Sequence, residues 1–117
     1  MALVMSSGYV TLDGTVQSLA ILAPSMVTEP SGRLITGFQV LSFWAPDDSS
    51  TGNSNAGKVY VGCSSLLNPT TGVGLYRAMS PGQGCYIEVK SGNPIDLGEW
   101  YVKGSVGDKV LVTGLRT

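Results

Sequence analysis

Chemistry in this chain would have to come from a short list of side chains. Asp47 and Asp48 are adjacent carboxylates, with Asn53 and Asn55 close behind in sequence. Oxygen ligands in a flexible stretch suit a calcium ion. The spacing, however, does not match the twelve-residue calcium loop, and no glutamate closes it, so the pair reads as the solvated tip of a loop. Glycoside hydrolysis needs two acids facing each other across a cleft. Asp13, Glu29, Glu88, Asp96, Glu99 and Asp108 are single and scattered, most beside a glycine, a proline or a turn. Asp108, after Gly107, reads as a turn residue, and Glu88 as the outward side of a strand. Gly72-Val73-Gly74 lacks the lysine and the following helix that a phosphate loop requires. Histidine is absent, which excludes Ser-His-Asp and Cys-His nucleophile systems and histidine-ligated metal. The expectation is a non-enzymatic chain without cofactor or metal.

Cys63 and Cys85 are the only cysteines. Both fall on the apolar phase of strand-like segments, where a cysteine acts as a small hydrophobe. Free thiols that touch if their strands are neighbours are the expectation. Tyr60, Tyr86 and Tyr101 fall on the outward phase. If their strands are neighbours, three tyrosines line one outer sheet face, as at protein interfaces and sugar platforms. The apolar start, Met1, Ala2, Leu3, Val4 and Met5, reads either as a first edge strand or as an arm, Met1 to Ser7, that crosses to another subunit.

The elements behind these residues are strands. Val59, Val61 and Cys63 alternate with Lys58, Tyr60 and Gly62; Cys85, Ile87 and Val89 alternate with Tyr86, Glu88 and Lys90. Trp100 and Val102 alternate with Tyr101 and Lys103; Val110 and Val112 alternate with Lys109, Leu111 and Thr113. A period of two marks half-buried antiparallel strands. Pro81-Gly82, Gly92-Asn93-Pro94 and Gly107-Asp108 supply turns. Leu34 to Trp44 reads as a central strand with a bulge near Gly37, placing Phe38 and Val40 in the core opposite the other inward residues. Thr15 to Leu22 favours strand over helix. Ser64 to Asn68 and Tyr76 to Met79 each have room for one helical turn. Pro46 to Gly57 is all turn formers and reads as a long exposed loop, functional or mobile.

Sixteen glycines and six prolines in 117 residues fit many turns and short strands, and 43% hydrophobic against 13% charged residues fits one folded core. The expected fold is all-β: a single-domain antiparallel β-sandwich over residues 1–117, jelly-roll-like, with about seven or eight short strands. A net charge of −1 leaves no basic surplus for nucleic acid. No apolar run approaches the roughly 20 residues of a membrane-spanning helix. The start lacks the basic residues of a secretory signal, so folding in a reducing cytosol is expected.

From Lys58 to Val112, about half the chain, the order of strands and turns is distinctive. Lys58-Val59-Tyr60-Val61-Gly62 leads to Gly72 to Leu75, the turn Ser80-Pro81-Gly82 and the strand Cys85 to Val89. Ile95-Asp96-Leu97 and Trp100-Tyr101-Val102-Lys103-Gly104 follow, and then Val106-Gly107-Asp108-Lys109-Val110-Leu111-Val112. This pattern resembles small β-sandwich virion proteins of tailed bacteriophages, most of all capsid decoration (cement) proteins. Met1 to Pro46 carries no matching pattern. The resemblance implies a homo-oligomer, a trimer, made in the host cytoplasm, that binds the major capsid protein and stabilises the head. Two alternatives stay open: a carbohydrate-binding or fibre-attachment module, and a tail or head–tail joining subunit.

Overall fold

The computed structural model describes residues 4–23, 37–48, 50–89 and 94–116. Ten strands form among these residues: β1 (Val4–Thr11), β2 (Gln17–Ser18), β3 (Val40–Trp44), β4 (Asp47–Asp48), β5 (Asn53–Ser54), β6 (Val59–Gly62), β7 (Leu75–Met79), β8 (Gly84–Glu88), β9 (Tyr101–Lys103) and β10 (Lys109–Arg116). All pairings are antiparallel. The chain is an all-β, single-domain sandwich, as its alternating pattern predicts. One four-stranded sheet runs β1-β10-β3-β8 and the other β2-β9-β6-β7; β4 and β5 form a separate hairpin. With that hairpin set aside, eight strands remain. The chain crosses between sheets at every connection except β6 to β7, which is the winding of a jelly roll.

The core lies between the sheets. Leu41, Phe43, Val110 and Val112 from the first meet Val59, Val61 and Val102 from the second, with Phe38, Leu12, Leu19 and Leu97 closing the ends. Expected core residues Ile87, Val89 and Trp100 pack against this cluster while partly exposed. Two phases differ from expectation. Val40 is only half-buried, and its neighbours Leu41 and Phe43 are the inward residues of β3. The cause is a bend at Gln39: Phe38 bridges Ile95, one residue is then absorbed, and the side-chain alternation restarts at Val40. The expected bulge therefore falls two residues beyond Gly37. Leu34 to Thr36 lie outside the described residues.

Cys63 is exposed rather than buried. The register of β6 against β7 shifts between Val61 and Gly62, where Tyr76 of β7 is the unpaired extra residue. β6 ends at Gly62, so Cys63 lies in the bend beyond the strand, outside its alternation. Gly62 is fixed by this bulge, since a β-carbon there would fall on the Gly74 carbonyl.

Thr15 to Leu22 divides. Gln17–Ser18 pairs with β9, and Leu19–Leu22 forms one helical turn, α1, with Leu19 buried. Tyr76 to Met79 belongs to β7 and is not helical. Ser64 to Asn68 does turn, closed by the Leu67 amide donating to the Ser64 carbonyl at 3.0 Å.

The segment from Pro46 to Gly57 is a hairpin with an anchored base rather than a free loop. Asn55 is buried. Its side chain donates to the Lys109 carbonyl and accepts from the Lys109 amide, each at 2.7 Å, so it imitates a strand partner. Asp108, expected to be a plain turn residue, is also buried. It accepts the Ala56 and Gly57 amides at 2.9 and 3.0 Å.

Candidate functional site

The outward face of the first sheet is the unusual surface. An antiparallel sheet with one solvated face is expected to be polar outside. Here the register aligns Tyr9, Leu111 and Trp44 across β1, β10 and β3. Two residues along, Ser7, Thr113, Ser42 and Tyr86 line up, and beyond them Met5, Leu115, Val40 and Glu88. Met5 is 66%, Tyr86 63%, Tyr9 49% and Trp44 44% exposed, so four large apolar side chains share this one face. Gly84, opposite Trp44, leaves room for the indole: a β-carbon there would lie 2.9 Å from its Cε3. The only charged partners in these registers are Glu88 and, at the same end, Arg116 opposite Val4, with Lys109 opposite Thr11 at the other end.

This face ends in an open edge. β1 has β10 on one side and, among the described residues, no strand on the other. Its eight residues include no proline and no charge. Natural edge strands are usually blunted by such residues, and an unblunted edge is a template for pairing. Val4 to Ser7 therefore belong to an edge strand of the chain's own sheet. Met1, Ala2 and Leu3, the rest of the expected arm, lie outside the described residues.

The three tyrosines do not share a face. Tyr60 and Tyr101 lie outward on the second sheet, where Tyr60 pairs with Lys103 and Tyr101 with Gly62. Tyr86 lies on the first sheet, on the opposite side of the sandwich. The strands alternate as expected, but alternation does not say which sheet a strand joins. Tyr9 and Trp44 are the site residues that sequence reasoning missed. The signal was present: Tyr9 alternates with the buried Val10 and Leu12, and Trp44 with Phe43.

Where β7 meets β8, a cleft of about 390 Å³ is lined by Tyr76, Arg77 and Cys85 to Glu88. Tyr76 is held there. Its ring meets Trp100 edge-on at 5.6 Å, its hydroxyl donates to the Tyr86 carbonyl at 3.1 Å, and Arg77 stacks over it at 5.6 Å. These contacts lock the open side of the sandwich and leave no acid–base pair.

The aspartates are engaged with turns. The Thr15 hydroxyl and amide hold the Asp13 carboxyl below its usual range, and the Ser50 hydroxyl does the same for Asp48. A depressed carboxylate stabilises its turn above the unfolded pKa and loses that effect as pH falls through the folded one. Asp96 accepts the Gly98 amide at 2.8 Å, capping the short 3-10 turn Leu97–Glu99. Among the described residues, no three potential metal ligands cluster, and no helix is long and apolar enough to cross a membrane.

Cys63 and Cys85 are free. Cys63 follows β6 of the second sheet and Cys85 lies in β8 of the first, so their strands are not neighbours and the condition for contact between the thiols is not met. Burial pushes the Cys85 thiol up, against a smaller opposing pull from Arg77. The native protein should therefore show two reactive thiols at pH 8, the exposed Cys63 reacting first and Cys85 more slowly. A Cys63→Ser variant should lose only the fast phase; loss of the slow phase would contradict these environments.

Comparison with family models, with curated proteins and with solved structures returns no match.

Proposed function

We propose that the chain is a non-enzymatic structural protein of a virion, a capsid decoration protein that works as a homotrimer and bridges capsid subunits of a phage head. The observation that carries this reading is the outward face of the first sheet, which gathers the exposed side chains of Met5, Tyr9, Trp44 and Tyr86, is low in charge and ends in an unblunted edge. Large apolar side chains gathered exposed on one face of a folded domain mark an interaction site. The jelly-roll winding supports the reading by analogy, since viral capsid domains use it. So does the strand and turn order from Lys58 to Val112 that resembles decoration proteins. In this account the β1 edge joins copies of the chain, and Tyr9, Trp44 and Tyr86 seat the oligomer on the major capsid protein. Binding the assembled shell but not its separated subunits stabilises the shell by mass action.

Co-sedimentation with phage heads assembled without the chain tests this. The protein should pellet with the heads and raise the temperature at which they open. A folded Tyr9→Ser/Trp44→Ser variant should stay in the supernatant. Wild-type protein left in the supernatant would overturn the proposal.

A further inference from the structure

On the side of the sandwich opposite the apolar face, Lys58, Tyr60, Lys103 and Ser105 line a cleft of about 390 Å³, with Gly14, Gly104 and Val106 completing it. The other cations among the described residues are engaged. Arg77 stacks on Tyr76, Lys109 donates to Asn53 at 2.9 Å, and Arg116 also has a partner. Lys58 and Lys103 have none among the described residues, and both line this one cleft, into which no carboxylate is built. Arg33 and Lys90 lie outside the described residues.

The lining holds more than charge. Tyr60 is half-buried and pairs with Lys103 across β6 and β9, so the two side chains line the cleft from one rigid pair of strands. Val106, 80% exposed, adds apolar surface, and Ser105 adds a hydroxyl. Two ammonium groups, a ring, a hydroxyl and an apolar wall together suit a ligand that is anionic and hydroxylated and has a C–H face to lay on an aromatic ring. The cleft is at the small end for ligand sites, the size for one or two sugar rings.

We propose that the Lys58–Tyr60–Lys103 cleft binds an anionic sugar unit, a carboxylated or sulfated pyranose. An acidic peptide would use the two charges but leave the ring and the hydroxyl without a role. The proposal does not depend on the decoration reading, because it concerns the opposite face.

Amide chemical-shift titration of the whole protein tests it, with glucuronate, glucose 6-sulfate, neutral glucose, inorganic sulfate and penta-aspartate as probes. Glucuronate or glucose 6-sulfate should shift Tyr60, Lys103 and Ser105, with a dissociation constant on the order of 1 mM for so small a ligand. Neutral glucose and inorganic sulfate should each bind more weakly. Lys58→Gln and Lys103→Gln, both surface changes, should each weaken the sugar acid by up to about fivefold, and added salt should weaken it further. Shifts elsewhere, no shifts, equal response to inorganic sulfate, or tighter binding of penta-aspartate would each overturn the proposal.

Discussion

Phe43→Ala should destabilise the protein by about 3–5 kcal/mol, read as a lower urea midpoint at unchanged slope. Phe43 is 2% exposed and faces inward between Val112 and Cys85. Its ring lies 6.5 Å from that of Trp100, which leads into β9 of the second sheet. Truncation therefore removes buried area and opens a cavity where the two sheets meet. The neighbouring Trp44→Ala should cost less than about 1 kcal/mol, because that side chain faces outward. The two substitutions are one residue apart, so the contrast tests the phase of β3 directly. Equal losses would mean that β3 is set in the wrong register.

Asp108→Ala should cost about 3 kcal/mol. Its buried carboxylate takes the Ala56 and Gly57 amides, more than fifty residues away in sequence. Alanine leaves two backbone donors without an acceptor and frees the base of the β4–β5 hairpin. Asp108→Asn keeps one acceptor but turns a donor toward the second amide, so it should recover only part of the loss. Hydrogen exchange at Ala56 and Gly57 should quicken in both variants. A change below about 1 kcal/mol for alanine would show that water replaces the carboxylate at little cost.

The same residues show how far the sequence could be read. The strands β6, β8, β9 and β10 were legible because period two is written directly in their side chains, and Val59, Val61, Val102, Val110 and Val112 are buried as that period requires. The pattern misled wherever one residue is absorbed out of phase. That happens at Gln39, which reverses Val40, and in β7 at Tyr76; Cys63 is exposed because β6 ends one residue before it. Local periodicity carries no information about such slips, which depend on what the partner strand does. Long-range anchoring was equally hidden. Asn55 and Asp108 looked like turn formers because nothing in their own neighbourhoods shows that they hold each other's segments. The candidate site was half legible: Met5 and Tyr86 do share a face, but with Tyr9 and Trp44, while Tyr60 and Tyr101 lie on the other sheet. Sheet membership comes from the jelly-roll winding, which pairs strands distant in sequence.

The proposed trimer depends on the open β1 edge joining copies of this chain. Light scattering on the purified protein at micromolar concentration measures that directly. The predicted mass is three times the 12.2 kDa of the chain, falling to a single chain when Met5→Lys/Ser7→Lys places charge on the edge strand. A monomer at every concentration, or a trimer indifferent to those two lysines, would contradict it.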